Sequence, residues 1–123
     1  MKSTEKTYQG SCHCGRVKFE MVSDLQSVLR CNCSICKRKG TPMVATKEGS
    51  FKLTAGEEFL SLYQFNTKLA RHYFCKVCGI YTHHNPRSNP VLTRVNAGCL
   101  DGVDPLELET QLVNGAALSV EAG

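Results

Sequence analysis

The sequence predicts a mainly β fold in a single domain over residues 1–123. Three observations carry this reading. Apolar residues recur with a period of two, turn-forming pairs interrupt them at short intervals, and no stretch sustains a helical period.

In chain order, Val17, Phe19 and Met21 alternate with Arg16, Lys18 and Glu20, the pattern of a half-buried strand. Phe51 and Leu53 begin a second strand that stops near Ala55-Gly56, and Leu60, Leu62 and Phe65 mark a third. Leu69 to Phe74 form a fourth, Val95, Ala97 and Cys99 a fifth, and Leu106, Leu108 and Leu112 a last. Turns fall at Gly40-Thr41-Pro42, Glu48-Gly49-Ser50, Asn85-Pro86, Ser88-Asn89-Pro90, Asp101-Gly102 and Asp104-Pro105. Only Cys33 to Lys39 and Gly56 to Phe59 suit a short helical turn. The tail from Asn114 to Gly123 is small and weakly polar, with little to tie it down.

Composition excludes several classes. Hydrophobic residues at 41% and charged residues at 21% describe a globular chain rather than a disordered one. No apolar run approaches the ~20 residues of a spanning helix, so no membrane partner is expected. The opening MKSTEKTYQGSCHCG carries no apolar signal core, which makes a cytoplasmic location the expectation.

Eight cysteines remain to be explained. In a reducing compartment they read as metal ligands or reactive thiols. They fall in three tight clusters: Cys12-x-Cys14, Cys31-x-Cys33-x-x-Cys36 and Cys75-x-x-Cys78, with Cys99 alone. Disulfide frameworks spread their cysteines, because stapling distant segments restricts the unfolded chain most. Sulfurs one or two residues apart converge instead on one ion, and zinc is the ion such thiolates suit. Gly15 follows Cys14 and Gly79 follows Cys78, where a tight turn aims amide N–H groups at sulfur and requires positive φ. Cys12, Cys14, Cys75 and Cys78 together supply a closed tetrahedral site, which at about 10–16 kcal/mol of binding energy would be part of the fold. Cys31, Cys33 and Cys36 supply three ligands and no partner pair. Three ligands and a vacancy is the pattern of a catalytic zinc; Cys99 or a histidine is the candidate to close it.

Other residues have two readings each. His83 and His84 follow the third cluster and precede Asn85-Pro86; they suit a general acid or base, or a surface turn. His72 lies in a strand-like run, as a structural or exposed residue. Lys37, Arg38 and Lys39 directly follow the three-thiol cluster and suit either steering of an anionic substrate or a solvated basic turn, and Arg87 is a further candidate. The net charge of +4 and the basic body invite a nucleic-acid reading. Four thiolates on one zinc carry −2 and three on another −1, which takes +4 to +1 and removes most of the case for a nucleic-acid partner.

Gly10-Ser11-Cys12-His13-Cys14-Gly15-x-Val17-x-Phe19, then Cys31-x-Cys33-Ser34-x-Cys36, then Phe74-Cys75-x-x-Cys78-Gly79, resembles the glutathione-dependent formaldehyde-activating enzyme family, which includes centromere protein V. The stretch Phe74 to His84 with Val95 to Gly102 is similar to a short bacterial branch of it. The resemblance implies a β-tent fold, small antiparallel sheets organised around zinc. It also implies a structural zinc on Cys12, Cys14, Cys75 and Cys78 and a catalytic zinc on Cys31, Cys33 and Cys36. The activity it implies joins formaldehyde to glutathione as S-hydroxymethylglutathione, a carbon–sulfur lyase in reverse. The other function class to weigh is a non-catalytic zinc-binding module for protein partners.

Overall fold

The computed structural model describes residues 5–65, 68–86, 89 and 91–114. Among the described residues, ten strands and one short α-helix follow one another: β1 (Lys6–Ser11), β2 (Lys18–Ser23), β3 (Val28–Cys31), α1 (Cys36–Lys39), β4 (Met43–Ala45), β5 (Lys52–Ala55), β6 (Leu60–Tyr63), β7 (Arg71–Cys75), β8 (Tyr81–Asn85), β9 (Arg94–Asn96) and β10 (Gln111–Val113). They form two sheets, ordered β1-β2-β5 and β10-β3-β4-β9-β8-β7-β6. Every pairing is antiparallel except β10 with β3. This is the mainly β arrangement expected of the chain. Among the described residues, no helix is long and apolar enough to cross a membrane.

The core lies between the sheets. Phe19 and Met21 of β2 meet Val28, Val44 and Val95 of the larger sheet, all fully buried, as the alternation along β2 requires. Gly10 pairs with Phe19 across β1 and β2, and a Cβ on Gly10 would lie 2.4 Å from the Phe19 ring. The bare glycine is what leaves room for the ring there. A second apolar cluster, Cys12, Val17 and Cys75 with Leu60 and Ile80 against it, sits at one end of the same interface.

Several expectations are corrected. Cys99 does not extend a strand: after β9 the chain enters a 3₁₀ turn at Ala97–Cys99, because the Asn96 side chain accepts from Gly98 N–H and draws the backbone round. Leu106 lies in another 3₁₀ turn, Pro105–Glu107, capped by Asp104 and opened by proline, and it is 86% exposed. Only β10 survives of that last strand. His83 and His84 are not in a surface turn but inside β8, about 95% buried. Residues 115–123 of the tail, and Ser88 and Pro90 of one turn, lie outside the described residues.

Candidate metal centres and the site beside them

The loop after β1 brings Cys12 and Cys14 to the β7–β8 turn, which holds Cys75 and Cys78. All four sulfurs lie within 4.8 Å of one another. Gly15 and Gly79 have φ of 82° and 81°, as the two turns require. With that geometry Val17 N–H points at Cys12 Sγ (3.4 Å), and the N–H groups of Val77 and Cys78 at Cys75 Sγ (3.4 and 3.5 Å). Thiolates about 2.3 Å from a tetrahedral zinc lie about 3.8 Å apart. Here Cys12 and Cys14 sulfurs are 3.6 Å apart, and those of Cys14 and Cys75 3.7 Å. The donor set is therefore spaced to hold a metal ion. The Arg16 N–H and guanidinium pull the exposed Cys14 thiol down to about 6. His13, between Cys12 and Cys14, is exposed.

The second cluster forms where β3 ends and α1 begins. Cys31, Cys33 and Cys36 sulfurs also lie within 4.8 Å of one another, and among the described residues no fourth Cys, His, Asp or Glu joins them. Cys99 belongs elsewhere. It is buried, with its thiol pushed up to about 12 by burial and by Cys12 and Cys78, and it donates to the Tyr81 carbonyl at 3.7 Å. Burial likewise pushes the Cys36 thiol up to about 12, against the Lys39 ammonium, which donates to its sulfur at 3.1 Å. Burial opposes ionisation of Cys33 too, but N–H groups of Cys36 and Ile35 and the neighbouring thiols outweigh it and lower its pKa.

Of the three basic residues, the structure directs one at this cluster. Lys39 reaches Cys36 and lies over the Tyr81 ring, 5.0 Å from its centre. Arg38 turns back to donate to the Ser34 carbonyl at 2.7 Å, and Lys37 is exposed. Arg87 lies outside the described residues.

The two adjacent histidines face opposite ways. His84 pairs with His72, and His83 with Tyr73, so alternation puts His72 and His84 on one face and Tyr73 and His83 on the other. The same pairing shifts register between Tyr73 and Phe74, whose partners are His83 and Tyr81. Thr82 is thus an extra residue, a bulge that returns Tyr81 to the face of His84. Tyr81 Oη lies 2.7 Å from His72 Nδ1, and the rings of His72, His84 and Tyr81 are mutually in contact at 5.7–6.0 Å. Arg94, across from His84 on β9, is half-buried, and the charges of Cys36 and Cys31 oppose the lowering that burial imposes on its pKa. Burial and then Lys39 hold His84 down to about 2 and His72 down to about 4, so both rings are neutral near pH 7. Neutral rings, a phenol and two cations thus stand next to three thiols.

Sequence reasoning passed over Tyr81 and Arg94 as site residues and read His72 as structural or exposed. Tyr81 and His72 flank the third cysteine cluster, which was a usable signal, but the bulge that unites them is invisible in periodicity.

Comparison with known proteins then places the chain. The family model described as glutathione-dependent formaldehyde-activating enzyme matches residues 7–114. A protein of Halomonas elongata, provisionally named for the same activity, is 33% identical over 79 residues; the match takes in 57% of this chain and 50% of that protein. The chain therefore spans about half the length of that curated relative. A crystal structure of a Rhodobacter sphaeroides protein superposes with a TM-score of 0.80 at 42% identity, covering 85% of this chain and 99% of that one.

Proposed function

Because the chain belongs to the glutathione-dependent formaldehyde-activating enzyme family, we propose that it is a cytoplasmic zinc enzyme joining the sulfur of a small thiol, such as glutathione, to the carbon of an aldehyde, such as formaldehyde. The sulfur lone pair forms the C–S bond, the carbonyl π pair moves to oxygen, and the thiol's proton ends on that oxygen as S-hydroxymethylglutathione. The reverse direction is a carbon–sulfur lyase. The observation that carries the reading is the three-thiol cluster without a fourth protein ligand among the described residues, set beside Lys39, Tyr81 and His84.

The donor sets fit zinc. Cys12, Cys14, Cys75 and Cys78 would hold one ion as a closed structural site, and Cys31, Cys33 and Cys36 a second, whose remaining position favours a substrate thiol as its thiolate. Lys39 and Arg94 offset the negative charge gathered there. With His72 Nδ1–H donating to its oxygen, Tyr81 would keep its O–H to donate to the carbonyl oxygen as charge develops on it. His84 holds both rings from the third side. Of the two histidines, His84 is assigned to this site and His83 is not. Lys37 and Arg38, at the exposed rim, attract the carboxylates of glutathione.

Exchange spectroscopy of formaldehyde with glutathione tests the activity: adduct exchange should be faster with the protein than without, and equal rates would overturn the reading. Metal counting separates the other function class. Two zincs per chain, one lost to mild chelation, support the enzyme; one tightly held zinc with no exchange supports a protein-interaction module.

A further inference from the structure

A separate cavity lies in the cleft between the two sheets, on the face of β7 and β8 opposite the Tyr81–His72–His84 group. Tyr73 and His83 line it, whereas His72 and His84 do not. Its volume is about 360 Å³, at the small end of the ~300–1,000 Å³ typical of ligand sites. Phe51 comes from the stretch leading into β5, and Leu62 from β6, so both sheets contribute walls.

The cavity carries a small set of polar groups. Thr82 Oγ1 lies 2.8 Å from His83 Nδ1 and 3.4 Å from the Tyr73 carbonyl, which ties the His83 ring to the strand through Nδ1. Asn85 spends its amide hydrogens on the Leu92 carbonyl (2.9 Å) and the Thr93 hydroxyl (3.3 Å), which leaves its Oδ1 as an acceptor. Among the described lining residues Glu57 is the one charged side chain. Aromatic faces surround these acceptors: Phe51 and Tyr73 both pack on His83, with ring centres 4.5 and 4.6 Å away.

From this arrangement we propose that the cleft binds a small organic amine: a protonated ammonium group on an apolar, preferably aromatic, body. An ammonium supplies the N–H donors that Glu57 and Asn85 Oδ1 lack, and its charge is attracted by aromatic faces as well as by the carboxylate. A carboxylate ligand would meet Glu57 in repulsion. Burial holds His83 neutral down to about 4, so at neutral pH it adds no positive charge to the cavity. The site does not depend on the thiol and aldehyde chemistry above, and its test does not read that chemistry.

Benzylammonium, benzyl alcohol and benzoate, titrated separately near pH 7.5 into the zinc-loaded protein, give the test, with aromatic and histidine carbon–proton spectra as readout. Benzylammonium should shift the His83, Phe51 and Tyr73 signals saturably and leave His72 unmoved. Benzyl alcohol should bind about fivefold more weakly, the upper range for one partly exposed charge pair, and benzoate more weakly still. Glu57→Gln, at an exposed position, should weaken benzylammonium by a similar factor with an unchanged circular dichroism spectrum. No saturation with benzylammonium, equal binding of the alcohol, or indifference to Glu57→Gln would each overturn the proposal.

Discussion

Acidification should destabilise this protein well before its carboxylates titrate, and His83 is the group on which to demonstrate it. The ring is 4% exposed, packed between Phe51 and Tyr73, and burial lowers its pKa from 6.5 to about 4. The folded state therefore favours the neutral ring, while the unfolded chain takes up a proton near pH 6.5. A folded pKa below the unfolded one gives stability that is fully present above about 6.5 and lost as pH falls towards 4. Between about pH 7.5 and 5.5 linkage makes that loss roughly 1.3 kcal/mol for His83 alone. His72 and His84 act in the same direction. Urea unfolding of the zinc-loaded wild type and of His83→Phe, at both pH values, is the assay. The phenyl ring keeps the apolar packing and cannot titrate. Loss of the Thr82 contact is a constant offset, and any proton dependence of the thiolate sites is shared. The variant's stability should thus fall by about 1.3 kcal/mol less than wild type over this interval. Equal pH dependences in the two proteins would refute the reasoning.

Gly10→Ala should cost about 1–3 kcal/mol, because its new methyl must displace the fully buried Phe19 ring; a midpoint shift in urea below 0.5 kcal/mol would contradict it. Cys75→Ser should unfold or severely destabilise the chain, whereas Cys33→Ser should leave it folded with one zinc fewer. Melting curves with metal counts check the pair, and equal loss of fold would remove the division between the two clusters. Tyr81→Phe should lower kcat for thiol–aldehyde exchange by about 10²-fold with KM for the thiol nearly unchanged, as expected for a proton donor. A change confined to KM would reduce Tyr81 to a binding role.

The legible parts of this molecule are those with a local signature. Both cysteine clusters and the positive φ of Gly15 and Gly79 could be read from spacing, because each depends on a few adjacent residues. The alternation of Val17, Phe19 and Met21 gave β2 and its buried face. β8 was opaque for a physical reason: its interior is Thr82, His83 and His84, polar residues buried through pairing with β7 and β9, so no apolar period marks it. β1 was equally silent, being largely exposed on one edge of its sheet. The role of Lys39 among three consecutive basic residues is set by the pitch of a four-residue helix, below the length at which periodicity speaks.

The bulge at Thr82 makes the path of the β8 backbone as consequential as its residue identities. Tyr81 and His84 are three positions apart, a spacing that regular pleating places on opposite faces, so the same residues in a strand without the bulge would send the tyrosine and the second histidine to opposite sides of the sheet. The phenol would then face the cleft and its histidine partner the thiols. Relatives that retain a tyrosine and two histidines after this turn are equivalent in chemistry only if their strand also brings the tyrosine and the second histidine to one face, either with this bulge or without its extra residue.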